Sequence, residues 1–201
     1  MASKAPVNAD DVATLGQRWY VLFIMMLVYT ISIADRYVLS TLLGPISKEL
    51  NLSDSGAASL GIPLALFYVI MGIPLSWLCD RTNRRNLLAA SVAAWSLMTA
   101  LTGYTRGYFD LLLARIGVGV GEAGCTPAAH SLITDAVPKE KRASAIAFYG
   151  LGIPIGSLIG MALGGALSDI IGWRNTFLAV SIPGVLFAFI LPFILKDPGR
   201  H

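Results

Sequence analysis

From Gly56 to Cys79 the chain carries no charged residue, and from Leu87 to Thr105 it carries none again. Each run is long enough for a helix to cross a bilayer core, which takes about 20 residues. Between them lies a short basic loop holding Asp80, Arg81, Arg84 and Arg85. Two such runs joined by so short a link fold as neighbouring membrane helices, and the three arginines mark the loop as cytoplasmic. The alternating-polarity segments of a barrel are missing, so the spans read as helices.

The composition agrees. Hydrophobic residues make up 55% of the 201 and charged residues only 13%, against roughly 25% charged in a globular protein. The mean hydropathy is +0.68. A net charge of +3 does not point to nucleic acid, because the basic residues sit at the ends of apolar runs. Cys79 and Cys125 lie within or beside apolar runs without metal-ligand spacing, and read as buried thiols. No metal or cofactor is expected. The polar start and the lack of a small-residue cleavage site argue against a signal peptide.

Six spans follow, at about 19–43, 56–79, 87–104, 111–134, 143–168 and 175–195. One side holds Lys4, Arg18, Arg81, Arg84, Arg85, Lys139, Lys141, Arg142, Lys196 and Arg200, against Lys48, Arg106 and Arg174 on the other. The bias puts both termini in the cytoplasm. The connections are short, and the longest, near Gly44–Ser55, has a helix-start signal at Ser53 and Asp54. There is no room for an extramembrane catalytic domain.

Asp35, Arg36, Arg115 and Glu122 lie inside apolar spans. A charge near the bilayer centre costs roughly 2.5–3.5 kcal/mol on insertion scales, so it faces protein or a wet cavity. Asp35 and Arg115 fall at similar depth and can pair across the bundle. Arg115 and Glu122 are about 700° and about 10 Å apart on one helix, so they share a face with Glu122 deeper. Two readings stand side by side: a structural ion pair at Asp35–Arg115, and a proton carrier at Glu122, which has no cation at i±3 or i±4. His130 lies off that face and reads as a hydrogen-bonded helix residue. Gly152, Gly156, Gly160 and Gly164 recur every fourth position, and Gly117 with Gly121 makes another such pair. This spacing lets helix backbones approach closely. Pro127 and Pro154 should bend or loosen their helices.

These residues resemble the major facilitator superfamily. Its motif between the second and third helices, roughly G-x-L-x-D-R-x-G-R-R/K, is matched by Leu78, Asp80, Arg81, Arg84 and Arg85. Ser76 stands in the register of the first glycine (or the glycine is displaced to Gly72), and Asn83 stands at the second. The fourth-helix motif R-x-x-x-G-x-G is matched by Arg115, Gly119 and Gly121. Gly172, Trp173 and Arg174, with Pro138 and Arg142, also fit. Within the superfamily, Asp35-Arg36-Tyr37, the run from Arg115 to Ala123, and Leu50 to Asp54 resemble the spinster-like branch, for which Glu122 is characteristic.

The resemblance covers essentially the whole chain but only the N-terminal half of a twelve-helix family. It implies an all-α membrane protein whose six transmembrane helices form two inverted three-helix repeats. On this reading residues 1–18 are a cytoplasmic tail, 19–195 the bundle, and 196–201 the start of the cytoplasmic linker. The implied function is secondary transport by alternating access, coupled to protons, of an anionic amphipathic or lipid-like small molecule. Asp35, Arg36, Arg115 and Glu122 form the coupling and binding set. Asp80, Arg81, Arg84 and Arg85 form a cytoplasmic gate. The implied partners are the bilayer, substrate and protons, and a missing C-terminal six-helix half or a second copy, in a bacterial inner membrane. The alternative is a non-transporting truncated or regulatory fragment. An enzyme is not expected, since no Gly-x-Ser-x-Gly, His-Glu-x-x-His or paired-aspartate setting occurs.

Overall fold

The computed structural model describes residues 15–195; tail residues 1–14 and linker residues 196–201 lie outside them. The elements are α1 Leu15–Glu49, α2 Asp54–Ser59, α3 Gly61–Cys79, α4 Arg84–Thr102, α5 Tyr108–Ala123, α6 Cys125–Ala136, α7 Arg142–Gly150 and α8 Gly152–Ile194. No strand occurs among the described residues. These helices make six spans: α1, α2 with α3, α4, α5 with α6, α7 with the first half of α8, and the second half of α8.

Proline explains the three bends within spans. A proline withholds the N–H that would bond the carbonyl four residues earlier. Pro63, Pro127 and Pro154 thereby free the carbonyls of Ser59, Ala123 and Gly150, which are the last residues of α2, α5 and α7. The turn between the last two spans is tighter than the expected loop. It rests on Gly172 alone, at φ 78° and ψ 159°, a conformation open essentially to glycine.

The first helix is longer at both ends than the expected span. It starts at Leu15, because the Gln17–Arg18 turn continues as a solvated helical extension of the residues assigned to the tail. It ends at Glu49 in a Schellman motif. Asn51 takes the left-handed position with φ 51°, and the Leu52 N–H donates to the Ser47 carbonyl at 2.9 Å. Ser53 then caps α2 by accepting from the Gly56 N–H at 3.1 Å.

Three helical stretches are long and apolar enough to cross a membrane by themselves: Leu15–Glu49, Asp54–Cys79 and Lys139–Ile194, the last folded back on itself at Gly172. Their surroundings differ. The apolar window of α1 is 61% buried and that of α2–α3 only 11%, so α1 is central and α3 presents a bare apolar face. Ile62, Leu66, Val69, Ile73 and Trp77 are exposed along it.

Small residues set the closest contacts. Gly152, Gly156, Gly160 and Gly164 lie along α1; a Cβ at Gly156 would stand 2.5 Å from the Thr30 carbonyl oxygen. On α5, Gly117 meets Met98, and a Cβ at Gly121 would stand 2.5 Å from the Trp95 nitrogen of α4. Two apolar clusters result. One gathers Met25, Leu88, Trp95 and Ile133, and the other Leu42, Ile46, Leu111 and Phe177. On α1, Asp35 and Arg36 fall between Val28 of the first cluster and Val38 of the second.

The two ends of the bundle carry different polar networks. At one end Arg84 pairs with Asp135 and donates to Ser131 at 2.9 Å, and Arg85 reaches the Leu195 carbonyl at 3.5 Å. Trp19 packs on Phe148 there, so both ends of the described chain share this basic end. At the opposite end the Trp173 indole N–H donates to Glu49 at 2.6 Å. Arg174 binds Glu49 at 3.0 Å and also the carbonyls of Gly103 and Thr105.

Candidate functional site

Asp35 and Arg36 are adjacent on α1, so their side chains leave the helix about 100° apart. Arg115 and Glu122 share one face of α5. The structure joins the four as two pairs, each crossing from α1 to α5. Arg115 Nη2 lies 3.7 Å from Asp35 Oδ2, and Thr99 of α4 donates to that same oxygen at 2.9 Å. Arg36 donates to Glu122 Oε2 through Nε at 2.8 Å and also through Nη2, while Ser32 donates to Oε1 at 2.8 Å. Two carboxylates and two guanidinium groups balance the charge of the buried layer.

The pairs differ in access. Side-chain exposure is 0% for Arg115, 2% for Asp35 and 1% for Glu122, but 35% for Arg36. The guanidinium of Arg36 therefore faces outward from the site, with its carbon 5.2 Å from the ring centre of Tyr68. The Arg115 nitrogens and Asp35 Oδ1 make no hydrogen bond in this conformation, so charge alone holds that pair. The resemblance puts Arg115 in the coupling and binding set. Arg115 is completely buried, whereas Arg36 keeps part of its side chain open. Glu122, which has no cation at i±3 or i±4 of its own helix, receives one from α1.

A niche opens beside Glu122, and it holds residues that sequence reasoning missed: Tyr29, Tyr68, Thr126 and Tyr149, with Ser32. Ser32 carried a usable signal, standing one turn before Arg36 on the same face. Tyr68 carried a weaker one, as a phenol inside a charge-free span. Its hydroxyl lies 2.7 Å from Thr126 Oγ1. His130 stands edge-on to Tyr149 with ring centres 5.4 Å apart and is not part of the ion-pair layer.

The basic-loop residues take three different positions. Asp80 is exposed at the end of α3. Arg81 stacks over Trp77 at 3.9 Å from its ring centre. Arg84 turns inward, its side chain 3% exposed, to Ser131 and Asp135. Asn83 caps α4, its side chain accepting from the Asn86 N–H at 3.2 Å. That cap gives the departure from glycine at this position a local task. Among the described residues no group of His, Cys, Asp and Glu is placed to hold a metal.

The family model for the Major Facilitator Superfamily matches residues 25–201. A protein of Mycolicibacterium smegmatis described as an MFS-type efflux pump is 32% identical over 98% of this chain and 46% of its own length. Human protein spinster homolog 1 is 27% identical over 92% of this chain and 36% of its own. The crystal structure of a bacterial homolog to the human lysosomal transporter Spinster, inward-facing and unoccupied, superposes with a TM-score of 0.88 at 38% identity. It covers 94% of this chain and 45% of that one. The all-α membrane bundle is the fold of these transporters, and the relatives are transporters rather than enzymes. The chain spans about half the length of the curated relatives it matches or less.

Proposed function

This chain belongs to the Major Facilitator Superfamily, and on that premise we propose that it forms one six-helix wall of a secondary active transporter. The other wall is a second six-helix half, seated against the uncovered face of α3 and the niche beside it. The transported molecule is anionic and amphipathic, and access alternates between the two sides of a bacterial inner membrane. The basic end, where both ends of the described chain lie, faces the cytoplasm, in keeping with the excess of Lys and Arg there.

The observation that carries this reading is the contrast between Arg36 and Glu122. Arg36 is partly exposed, while the carboxylate it binds is buried. An anionic group arriving in the path can replace Glu122 at the guanidinium, which presents a planar fork of donors. Glu122 then stands buried without its cation. A buried unpaired carboxylate is costly, so it takes up a proton. Binding of the anion at the Arg36 guanidinium is thus linked to proton uptake at Glu122. Asp35 and Arg115, fully buried beside Thr99, form the second pair that the same helix movement opens or closes. Exposed Asp80, with Arg81 at the end of α3, meets the other half as a cytoplasmic latch that stabilises one of two states.

Arg36→Lys in the whole transporter tests this reading. The lysine keeps the charge and loses the fork. Binding of an anionic amphiphile such as dodecyl sulfate, below its micellar concentration, should weaken about tenfold with folding unchanged. Equal binding by the parent and the variant contradicts it.

A further inference from the structure

Tyr68 stands midway along α3, in a span that carries no charge, and its ring and its hydroxyl meet different helices. The Arg36 guanidinium of α1 lies over the ring, its carbon 5.2 Å from the ring centre. That is within the roughly 6 Å over which a cation is drawn to an aromatic face. The hydroxyl lies 2.7 Å from Thr126 Oγ1 of α6. One side chain of α3 thus touches the cation of the site and is itself anchored elsewhere.

Tyr68 and Thr126 line two cavities at once. On one side is the niche that holds Arg36 and Glu122. On the other is an open groove of about 510 Å³, which Gly72, Ile73 and Pro127 also line. Gly72, one turn beyond Tyr68, contributes no side chain to fill it, and a Cβ there would meet nothing within 4 Å. The phenol therefore has room to rotate away from Arg36, and the hydrogen bond to Thr126 holds it back. Glu122 grips the guanidinium through Nε and Nη2, whereas the ring attracts its charge. When an anion takes the place of Glu122, the hydrogen bonds pass to the new partner and the ring contact stays. A tyrosine that only packed α3 on α6 would have no need of a guanidinium over its ring.

We propose that Tyr68 is the positioning residue for Arg36: its ring keeps the guanidinium fork aimed for an anionic group, and Thr126 keeps the ring in place. Such preorganisation raises affinity because a long side chain need not be ordered at the moment of binding. The proposal rests on the reading that Arg36 receives the anion.

Titration calorimetry of the whole transporter with dodecyl sulfate, below its micellar concentration, tests it. Tyr68→Leu removes ring and hydroxyl and should weaken binding about tenfold. Tyr68→Phe keeps the ring and cuts the bond to Thr126, so it should weaken binding about threefold, and Thr126→Val should do the same. A lysine ammonium has no planar fork to aim, so in the Arg36→Lys background Tyr68→Phe should cost less than about twofold more. Thermal unfolding checks that each variant folds, and Tyr68→Phe carries the test if the leucine variant does not. Parent-like affinity in Tyr68→Leu, Tyr68→Phe or Thr126→Val overturns the proposal. So does an equal loss from Tyr68→Phe in the parent and in the Arg36→Lys background, which packing of α3 on α6 alone would give. If Arg36→Lys by itself binds as well as the parent, the anion reading falls and takes this proposal with it.

Discussion

Arg36 and Glu122 meet across α1 and α5 with both Nε and Nη2 of the guanidinium on a single carboxylate oxygen, while Ser32 holds the other oxygen. The carboxylate is fully engaged and buried; the arginine keeps part of its surface open. Arg115 has the reverse character, being wholly enclosed with Asp35 as its counter-charge.

That enclosure gives the first prediction. Arg115→Met leaves Asp35 buried without its cation, and breaking a buried pair costs about 3–5 kcal/mol. The denaturation midpoint in detergent should fall sharply. Adding Asp35→Asn should recover much of the loss. A double variant no more stable than the single one contradicts a pairwise role.

A second concerns the seam between α1 and α8. Gly156→Ala places a methyl against the Thr30 backbone oxygen, and overpacking of this kind costs about 1–3 kcal/mol. Gly165→Ala, where nothing lies within 4 Å, is the matched control. It should change stability by less than about 0.5 kcal/mol. Equal thermal shifts in the two variants contradict the seam.

Much of this architecture was legible in the chain, for reasons that separate local from distant causes. Charge-free runs fix spans because lipid accepts nothing else, and Pro127 and Pro154 mark bends because a missing N–H acts within one turn. Ser53 and Asp54 mark a helix start for the same local reason. Partner choice is not local. The spacing within α5 leaves Glu122 unpaired, because its cation comes from α1. Spacing puts Arg115 on the Glu122 face but does not show that Asp35 and Thr99 enclose it. The niche of Tyr68, Thr126 and Tyr149 draws on three helices, and no spacing within one helix encodes it.

The far end of the bundle gives a pH prediction. The Trp173 hydrogen bond, and after it Arg174, hold the Glu49 carboxyl below the usual carboxylate range. A lowered folded value means that the clamp stabilises the fold above the ordinary carboxyl pKa of about 4.3 and is lost as pH falls through the lowered value. Thermal unfolding followed downward from neutral pH should show this loss, and Glu49→Gln should remove that part of the pH dependence. A profile identical in the parent and the variant contradicts the clamp.

Asp80 and Arg84 should behave differently although four residues separate them. Arg84→Gln removes a buried charged hydrogen bond to Asp135 and should destabilise the bundle by about 1.5–3 kcal/mol. Asp80→Asn, at an exposed position, should change stability by less than about 0.5 kcal/mol. In the whole transporter it should nevertheless shift cysteine accessibility between the two membrane faces. Unchanged accessibility leaves the loop with an orienting role alone.

In the proposed mechanism Glu122 exchanges a proton as Arg36 exchanges partners. Glu122→Gln keeps the size and removes the titration. The direct measurement compares two modes of the reconstituted whole transporter: accumulation of an anionic amphiphile driven by a pH gradient, and exchange with no net driving force. The glutamine variant should lose accumulation while retaining exchange. Accumulation against a gradient at the parent's level would contradict it and make Glu122 a structural partner of Arg36.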